Sequence, residues 1–95
     1  MKPAARQGDK HVCPKTEGPK PHVGGPIAQG SSTVLIDNKA AARQGDQATC
    51  VGPTDKISEG SSTVLIDNKP AARQGDSTDH GGKIAEGSDD VVIGG

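Results

Sequence analysis

The heptad Pro3-Ala-Ala-Arg-Gln-Gly-Asp9 is the main clue to the fold of this chain, because it occurs three times in 95 residues. It returns as Ala40-Ala-Ala-Arg-Gln-Gly-Asp46 and again, letter for letter, as Pro70-Ala-Ala-Arg-Gln-Gly-Asp76. The last two copies are preceded by identical segments, Gly30–Lys39 and Gly60–Lys69. A short chain built from three copies of one unit predicts a small object with approximate threefold symmetry.

The repeats divide residues 1–95 into a single domain of three units at about 3–39, 40–69 and 70–95. The third unit ends on Gly87–Gly95, a degenerate copy of the Gly-Ser-Ser-Thr-Val-Leu-Ile sequence. The length leaves no room for a second domain.

The composition limits the core that this domain can build. There is no Phe, Trp or Tyr, so Val, Leu, Ile and Ala must supply the buried surface. Aromatic-free, glycine-rich chains are often disordered, but here the apolar residues form β-branched runs and the net charge is only -1. We therefore expect a folded domain that needs a staple, such as a metal, a disulfide or a partner surface.

The repeated Thr-Val-Leu-Ile run is typical of a short strand, because it is β-branched and bounded by turn-forming residues. Val34 and Ile36 share one face of that strand by the period-two rule. Asp37 and Asn38 then fit a tight hairpin turn, and the chain returns through 39–43. No stretch shows helical periodicity. The sequence predicts an all-β fold, with three short β-hairpins arranged around an axis.

Each heptad also places an arginine three residues before an aspartate. A salt bridge or an Asp-capped turn explains this spacing better than solvated charges, which contribute under about 1 kcal/mol. The predicted structural pairs are Arg6 with Asp9, Arg43 with Asp46, and Arg73 with Asp76.

Five side chains are candidates for a metal site, since they are the only histidines and cysteines: His11, Cys13, His22, Cys50 and His80. All lie in the loops that link a Gly-Asp turn to the next apolar run. Three such loops meeting on an axis would supply the four ligands of structural zinc. His11, His22, Cys50 and His80 form one possible set, and Cys13 in place of His11 gives another.

Two rival roles for these residues are less favourable. A Cys13–Cys50 disulfide would leave the histidines without a role, and cytoplasmic synthesis argues against it. A catalytic zinc needs an open position and usually a nearby acid or base, yet no Glu adjoins a His or Cys. We expect no enzymatic activity.

Charge and hydropathy exclude several kinds of partner. A net charge of -1 without aromatic residues is unsuited to nucleic acid. No apolar stretch approaches membrane-spanning length, and no signal-peptide pattern follows Met1. We expect a protein that is made in the cytoplasm, has no stable membrane anchorage, and is exported without a cleaved signal.

The repeats are similar to those of the PAAR-repeat family, named for the tetrapeptide at Pro3–Arg6 and Pro70–Arg73, with Ala40–Arg43 as a one-letter variant. Each copy continues into Gln-Gly-Asp, and the resemblance extends over essentially the whole chain. It implies a small conical β-structure whose broad base sits on the trimeric spike protein (VgrG) of a type VI secretion system. Histidines and a cysteine would bind zinc near the pointed end.

The function that this resemblance implies is mechanical. A spike-tip protein of this kind caps and sharpens the trimer, aids puncture of the target cell envelope, and is delivered with the spike. The alternative is an adaptor that recruits an effector. Longer members of the family carry fused toxin domains, so in this chain any effector is expected to bind non-covalently.

Overall fold

The computed structural model describes residues 2–12, 16–17, 20–21, 24–50 and 54–94, and all regular structure among them is β. The strands, numbered in chain order, are β1 (Lys2–Pro3), β2 (His11–Val12), β3 (Thr16–Glu17), β4 (Lys20–Pro21), β5 (Gly24–Ile27), β6 (Leu35–Ile36), β7 (Lys39–Ala40), β8 (Gln47–Cys50), β9 (Asp55–Lys56), β10 (Leu65–Ile66), β11 (Lys69–Pro70), β12 (Lys83–Ile84) and β13 (Val92–Ile93). The all-β prediction is confirmed. The described residues contain no helix that is long and apolar enough to span a membrane.

Two of the predicted hairpins form at the repeated Asp-Asn pairs. β6 pairs with β7 across Asp37 and Asn38, whose φ angles are 54° and 65°. β10 pairs with β11 across Asp67 and Asn68 in the same conformation. A two-residue turn with positive φ at both positions is type I′, and its twist matches that of the flanking strands. Asn and Asp tolerate this backbone region better than most residues.

The third hairpin has no connecting turn, because its strands come from opposite ends of the chain. β1 runs antiparallel to β13, with Lys2 opposite Ile93 and Pro3 opposite Val92. The unit boundaries drawn from the repeats end the third unit at β13, whereas the structure completes that unit with β1. Without β1, the backbone groups of β13 would form an open edge.

Around the axis, the third residues of the three heptads, all alanines, form a closed ring of backbone hydrogen bonds. The N–H of Ala5 donates to the carbonyl of Ala72, Ala72 donates to Ala42, and Ala42 donates to Ala5, each over 3.0 Å. All three alanines are fully buried. A larger side chain would not fit at so crowded an axis, so the ring explains why the heptads carry alanine here.

Two apolar layers surround this axis. Consecutive residues of an extended segment point to opposite faces, so each Ala-Ala pair contributes one residue to each layer. The lower layer contains Ala4, Ala41, Ala71, Ile36, Ile66 and Ile93. The upper layer contains Ala5, Ala42, Ala72, Ile27, Ile57 and Ile84. Each buried isoleucine contributes about 1.5–3 kcal/mol, and six of them form a core without any aromatic residue.

Glycines are required at two repeated positions. Gly8 has a φ of +94° and occupies the third position of the turn that the Asp9 N–H closes onto the Arg6 carbonyl at 3.0 Å. This is a type II turn, which needs a residue with positive φ at that position. Gly30 is required for a different reason, because a Cβ there would lie 2.7 Å from the Cβ of Ala40. The domain that results measures 38 × 24 × 22 Å.

Candidate functional site

The arginine and aspartate of each heptad form a two-pronged clamp. Arg6 donates from Nε to Asp9 Oδ2 at 3.0 Å and from Nη2 to Oδ1 at 2.9 Å. The Arg6 backbone N–H also donates to Oδ2, at 2.8 Å. This hydrogen bonding to Asp9 raises the pKa of Arg6. The clamps of Arg43 with Asp46 and of Arg73 with Asp76 repeat the geometry.

Two clamps also reach a hairpin turn. Arg6 Nη1 donates to Asp37 Oδ2 at 2.8 Å, and Arg43 Nη1 donates to Asp67 Oδ2 at 3.0 Å. In the third unit, the equivalent acceptor is the Gly94 carbonyl, at 3.2 Å from Arg73 Nη1. The clamps therefore join the heptad turns to the hairpins, but only two of these links are ionic.

The structure reveals a set of inter-unit links that sequence reasoning missed. Gln29 Oε1 accepts the Gln47 N–H at 3.0 Å, and Glu59 and Glu86 accept the N–H groups of Ser77 and Lys10, each at 2.9 Å. The bond to Ser77 is the main cause of the lowered pKa of Glu59. The sequence does mark these three acceptors by their position, because each immediately precedes a Gly-Ser pair.

Above the upper layer lies a polar cluster, which consists of His11, Asp55 and Thr78. His11 lies opposite Ile84 in the register of β2 and β12, and Asp55 precedes Ile57 by two residues, so both stack on the upper layer. All three residues are buried. His11 Nε2, Asp55 Oδ2 and Thr78 Oγ1 have no hydrogen-bond partner among the described residues.

His11 is oriented through its other ring nitrogen. Nδ1 lies 2.8 Å from the Gly25 carbonyl oxygen. A carbonyl only accepts hydrogen bonds, so Nδ1 carries the hydrogen and the second nitrogen of a neutral ring presents a lone pair. That nitrogen, Nε2, lies 3.3 Å from Asp55 Oδ2. A backbone carbonyl at one imidazole nitrogen is the usual outer partner of a metal-bound histidine.

Asp55 contacts two histidine-bearing segments. Its Oδ1 accepts the backbone N–H groups of His80 at 3.0 Å and of Lys56 at 2.9 Å. Burial by itself would raise the pKa of Asp55. The nearby Thr78 side chain and these two backbone bonds outweigh burial and lower the pKa below its ordinary value of 3.8. Asp55 is therefore held as a buried carboxylate.

The predicted metal ligands are only partly brought together. His80 Nδ1 lies 3.9 Å from Asp55 Oδ2, so His11 and His80 approach the same carboxylate oxygen. Cys50 is half-buried at the end of β8, opposite Gly24 of β5. Cys13 and His22 lie outside the described residues. Within the described ranges, no group of three or more His, Cys, Asp or Glu side chains is close enough to hold a metal.

The unpaired nitrogen and oxygen atoms of the polar cluster are of the kinds that bind zinc. Zinc binds imidazole nitrogen, carboxylate oxygen and thiolate sulfur. His11 Nε2 and Asp55 Oδ2 are two such atoms that face each other in a buried site, and each lacks a partner in the part of the chain that is described.

A second candidate site lies on the outside of the lower layer. Each hairpin exposes a pair of apolar side chains beside its buried isoleucine: Val34 and Leu35, Val64 and Leu65, Val91 and Val92. The second member of each pair is the more exposed, with 63% of Leu35, 60% of Leu65 and 49% of Val92 accessible. The equivalent positions in β6, β10 and β13 give this apolar surface the same threefold arrangement as the core.

A model of the PAAR motif matches residues 17–86, which is more than half of the chain. No curated protein matches this chain. The PAAR motif defines a structural family that is associated with the spike tips of type VI secretion systems. The matched range holds two complete heptads, and the third copy at 3–9 completes the same hydrogen-bonded ring. The chain therefore belongs to the PAAR motif family.

Proposed function

We propose that this protein is a structural spike tip, which caps the blunt end of a trimeric VgrG-type spike and sharpens it for puncture of a target cell envelope. The observation that carries the proposal is the threefold set of exposed apolar pairs at the starts of β6, β10 and β13, where the second member of each pair is the first residue of the strand. Exposed apolar surface of this kind marks interaction sites, and three equivalent patches fit a partner with threefold symmetry.

Matching symmetry explains why a single chain repeats itself. A true trimer presents three identical strand ends, and each would be an open pairing site unless covered. A monomer with three similar units offers one apolar pair to each of them. Each of these pairs directly precedes an isoleucine of the lower layer, so the three pairs hold equivalent positions in the three units.

The opposite, polar end is suited to a metal-closed vertex. We propose that zinc is held by His11, His22, Cys50 and His80, with Cys13 as the alternative to His11. A structural zinc contributes about 10–16 kcal/mol of apparent folding free energy in small metal-dependent peptides. His11 is oriented by the Gly25 carbonyl, and the His80 backbone is held by Asp55. These contacts would resist deformation of the tip under load.

The test of capping is binding to a purified trimeric spike. Leu35→Asp combined with Leu65→Asp introduces two charges into the apolar surface, and we expect affinity to fall at least 100-fold. The matched control is Val12→Asp, because Val12 is 55% exposed but lies on β2, next to the polar cluster. Unchanged affinity in the double variant, or an equal loss in the control, would overturn the proposed docking face.

The same binding assay separates capping from the adaptor alternative. A capping protein binds the spike with no effector present, and its loss impairs delivery of all cargo. An adaptor is required for one effector only. Pulldown of effectors from secreting cells that lack this protein distinguishes the two, because a selective loss of one effector would favour the adaptor role.

A further inference from the structure

The polar cluster contains two buried hydrogen-bond acceptors that face each other. The hydrogen on His11 Nδ1 is used by the Gly25 carbonyl, which leaves a lone pair on Nε2. Asp55 Oδ1 is satisfied by two backbone N–H groups, whereas Oδ2 points toward Nε2. Burying two acceptors against each other is unfavourable unless a cation lies between them.

The distance between these atoms favours a metal ion over a proton. Charge-assisted N–H···O bonds are about 2.7–2.9 Å long, and Nε2 and Oδ2 are 3.3 Å apart. Tetrahedral zinc with bonds of about 2.0–2.2 Å separates neighbouring ligand atoms by about 3.3–3.5 Å. The observed separation matches the edge of that tetrahedron.

We propose that Asp55 is itself a metal ligand, and that it coordinates zinc through Oδ2 beside His11 Nε2. This inference rests on the zinc part of the proposed function. It also selects His11 over Cys13 as a zinc ligand. In a tetrahedral site Asp55 takes the place of one of the proposed ligands other than His11, and no histidine or cysteine pattern reveals it. The side chain of His80 lies near this pair, since its Nδ1 is 3.9 Å from Oδ2 and its backbone N–H donates to Oδ1, but His11, Asp55 and His80 do not by themselves form a group that holds a metal.

The role of Asp55 follows from how it is held. One oxygen is fixed by the N–H groups of Lys56 and His80, so the other can approach a metal in only a narrow range of directions. Asp55 and His11 come from different units of the repeat, and a shared metal would tie β9 to β2 across the axis. Neither strand contains a second residue that could form this link, because Val12 and Lys56 are exposed.

Anomalous diffraction at the zinc edge tests the proposal on the unmodified protein. We expect a peak about 2.0–2.2 Å from both Asp55 Oδ2 and His11 Nε2. A zinc peak more than about 3 Å from Oδ2 would overturn the proposal. So would a crystal without zinc between these atoms, whether they share a proton or a water molecule.

Chelator competition on variants gives an independent readout. Asp55→Asn keeps an oxygen for the backbone N–H groups, and we expect zinc affinity to fall more than about 100-fold, beyond the 10–100-fold cost of losing an outer partner. Asp79→Asn removes an exposed carboxylate next to His80 and should leave the affinity unchanged. Equal affinities in the two variants would contradict the assignment.

These results are separable from those of the docking test. Spike binding with no zinc at Asp55 would remove the ligand assignment and leave the capping role intact. Zinc at Asp55 with no spike binding would do the reverse. If Asp55→Asn does not fold, the anomalous map of the unmodified protein still decides.

Discussion

The hairpin of β10 and β11 and the pairing of β1 with β13 occupy equivalent places but are closed by different means. The first is joined by Asp67 and Asn68 in a type I′ turn, whose aspartate also accepts a bond from Arg43. The second, which we call the seam, has no turn, and Arg73 Nη1 donates to the Gly94 carbonyl where Arg43 Nη1 donates to Asp67. The seam thus pairs β1 with β13 without a connecting turn and without an ion pair equivalent to that of Arg43 with Asp67.

Tertiary contacts replace local ones at the seam. Arg73 is more deeply buried than Arg43, and Lys2 Nζ lies 3.8 Å from Asp76 Oδ1, which gives that carboxylate a second cation. Ser61 donates to the Gly94 carbonyl at 2.6 Å, where Ser31 donates to Asp67 in the continuous hairpin. The seam therefore depends on its clamp more than either hairpin does.

The largest expected effect comes from removing the clamp aspartate, first at the seam and then, for comparison, at the continuous hairpin. Asp76→Ala should lower the free energy of unfolding by about 4 kcal/mol, because it leaves a buried guanidinium without a carboxylate. Asp46→Ala should cost about 2 kcal/mol, since Arg43 keeps Asp67 as a partner. Denaturant unfolding of both variants measures the difference. Equal losses would show that the seam is no more dependent on its clamp than the hairpin is.

A smaller difference is expected in the lower layer. Ile93→Ala and Ile66→Ala each remove a buried isoleucine, and such changes cost about 2–5 kcal/mol. We expect Ile93→Ala to cost about 1 kcal/mol more within that range, because β13 is not tethered to its partner strand. Amide exchange supplies the second measurement: the Ala4 N–H, bonded to Val91, should exchange faster in Ile93→Ala than the Ala71 N–H, bonded to Val64.

The smallest effect concerns pH and the continuous hairpin alone. Hydrogen bonds from Ser31 and then Thr33 lower the pKa of Asp67 below its ordinary value of 3.8. A carboxyl with a lowered folded-state pKa stabilises the protein above pH 3.8, and this contribution is lost as pH falls through the folded value. Asp67→Asn should therefore flatten the dependence of melting temperature on pH below about 4. Ser31→Ala should flatten it in part, and an unaltered profile in both would contradict the assignment.

Local sequence was sufficient to predict the hairpins but not the seam. The Asp-Asn pairs stand between β-branched runs, so turn chemistry and alternation indicate the same structure. Val92–Ile93 carries the strand signal, but its partner in the structure comes from the other end of the repeat array. Its pairing with Lys2–Pro3 joins residues at opposite ends of the chain, and no local pattern encodes such a contact.

The candidate site shows the same limit. Histidines and cysteines stand out in the sequence because they are few, so His11 and His80 were identifiable as candidate ligands. Asp55 is one of many carboxylates and carries no distinguishing neighbours. Only its burial, its two backbone hydrogen bonds and its position opposite His11 single it out.

Local sequence was enough to predict the threefold repeat, the all-β class, the tight Asp-Asn hairpin turns and the spacing that lets each arginine meet its aspartate. These depend on residues within a few positions of one another, where backbone geometry leaves few alternatives. The tertiary structure alone decided that the chain ends complete the third unit, that Gln29, Glu59 and Glu86 join neighbouring units, and that His11 faces Asp55. Those contacts form only when all three units close around one axis, because each takes its two partners from different units.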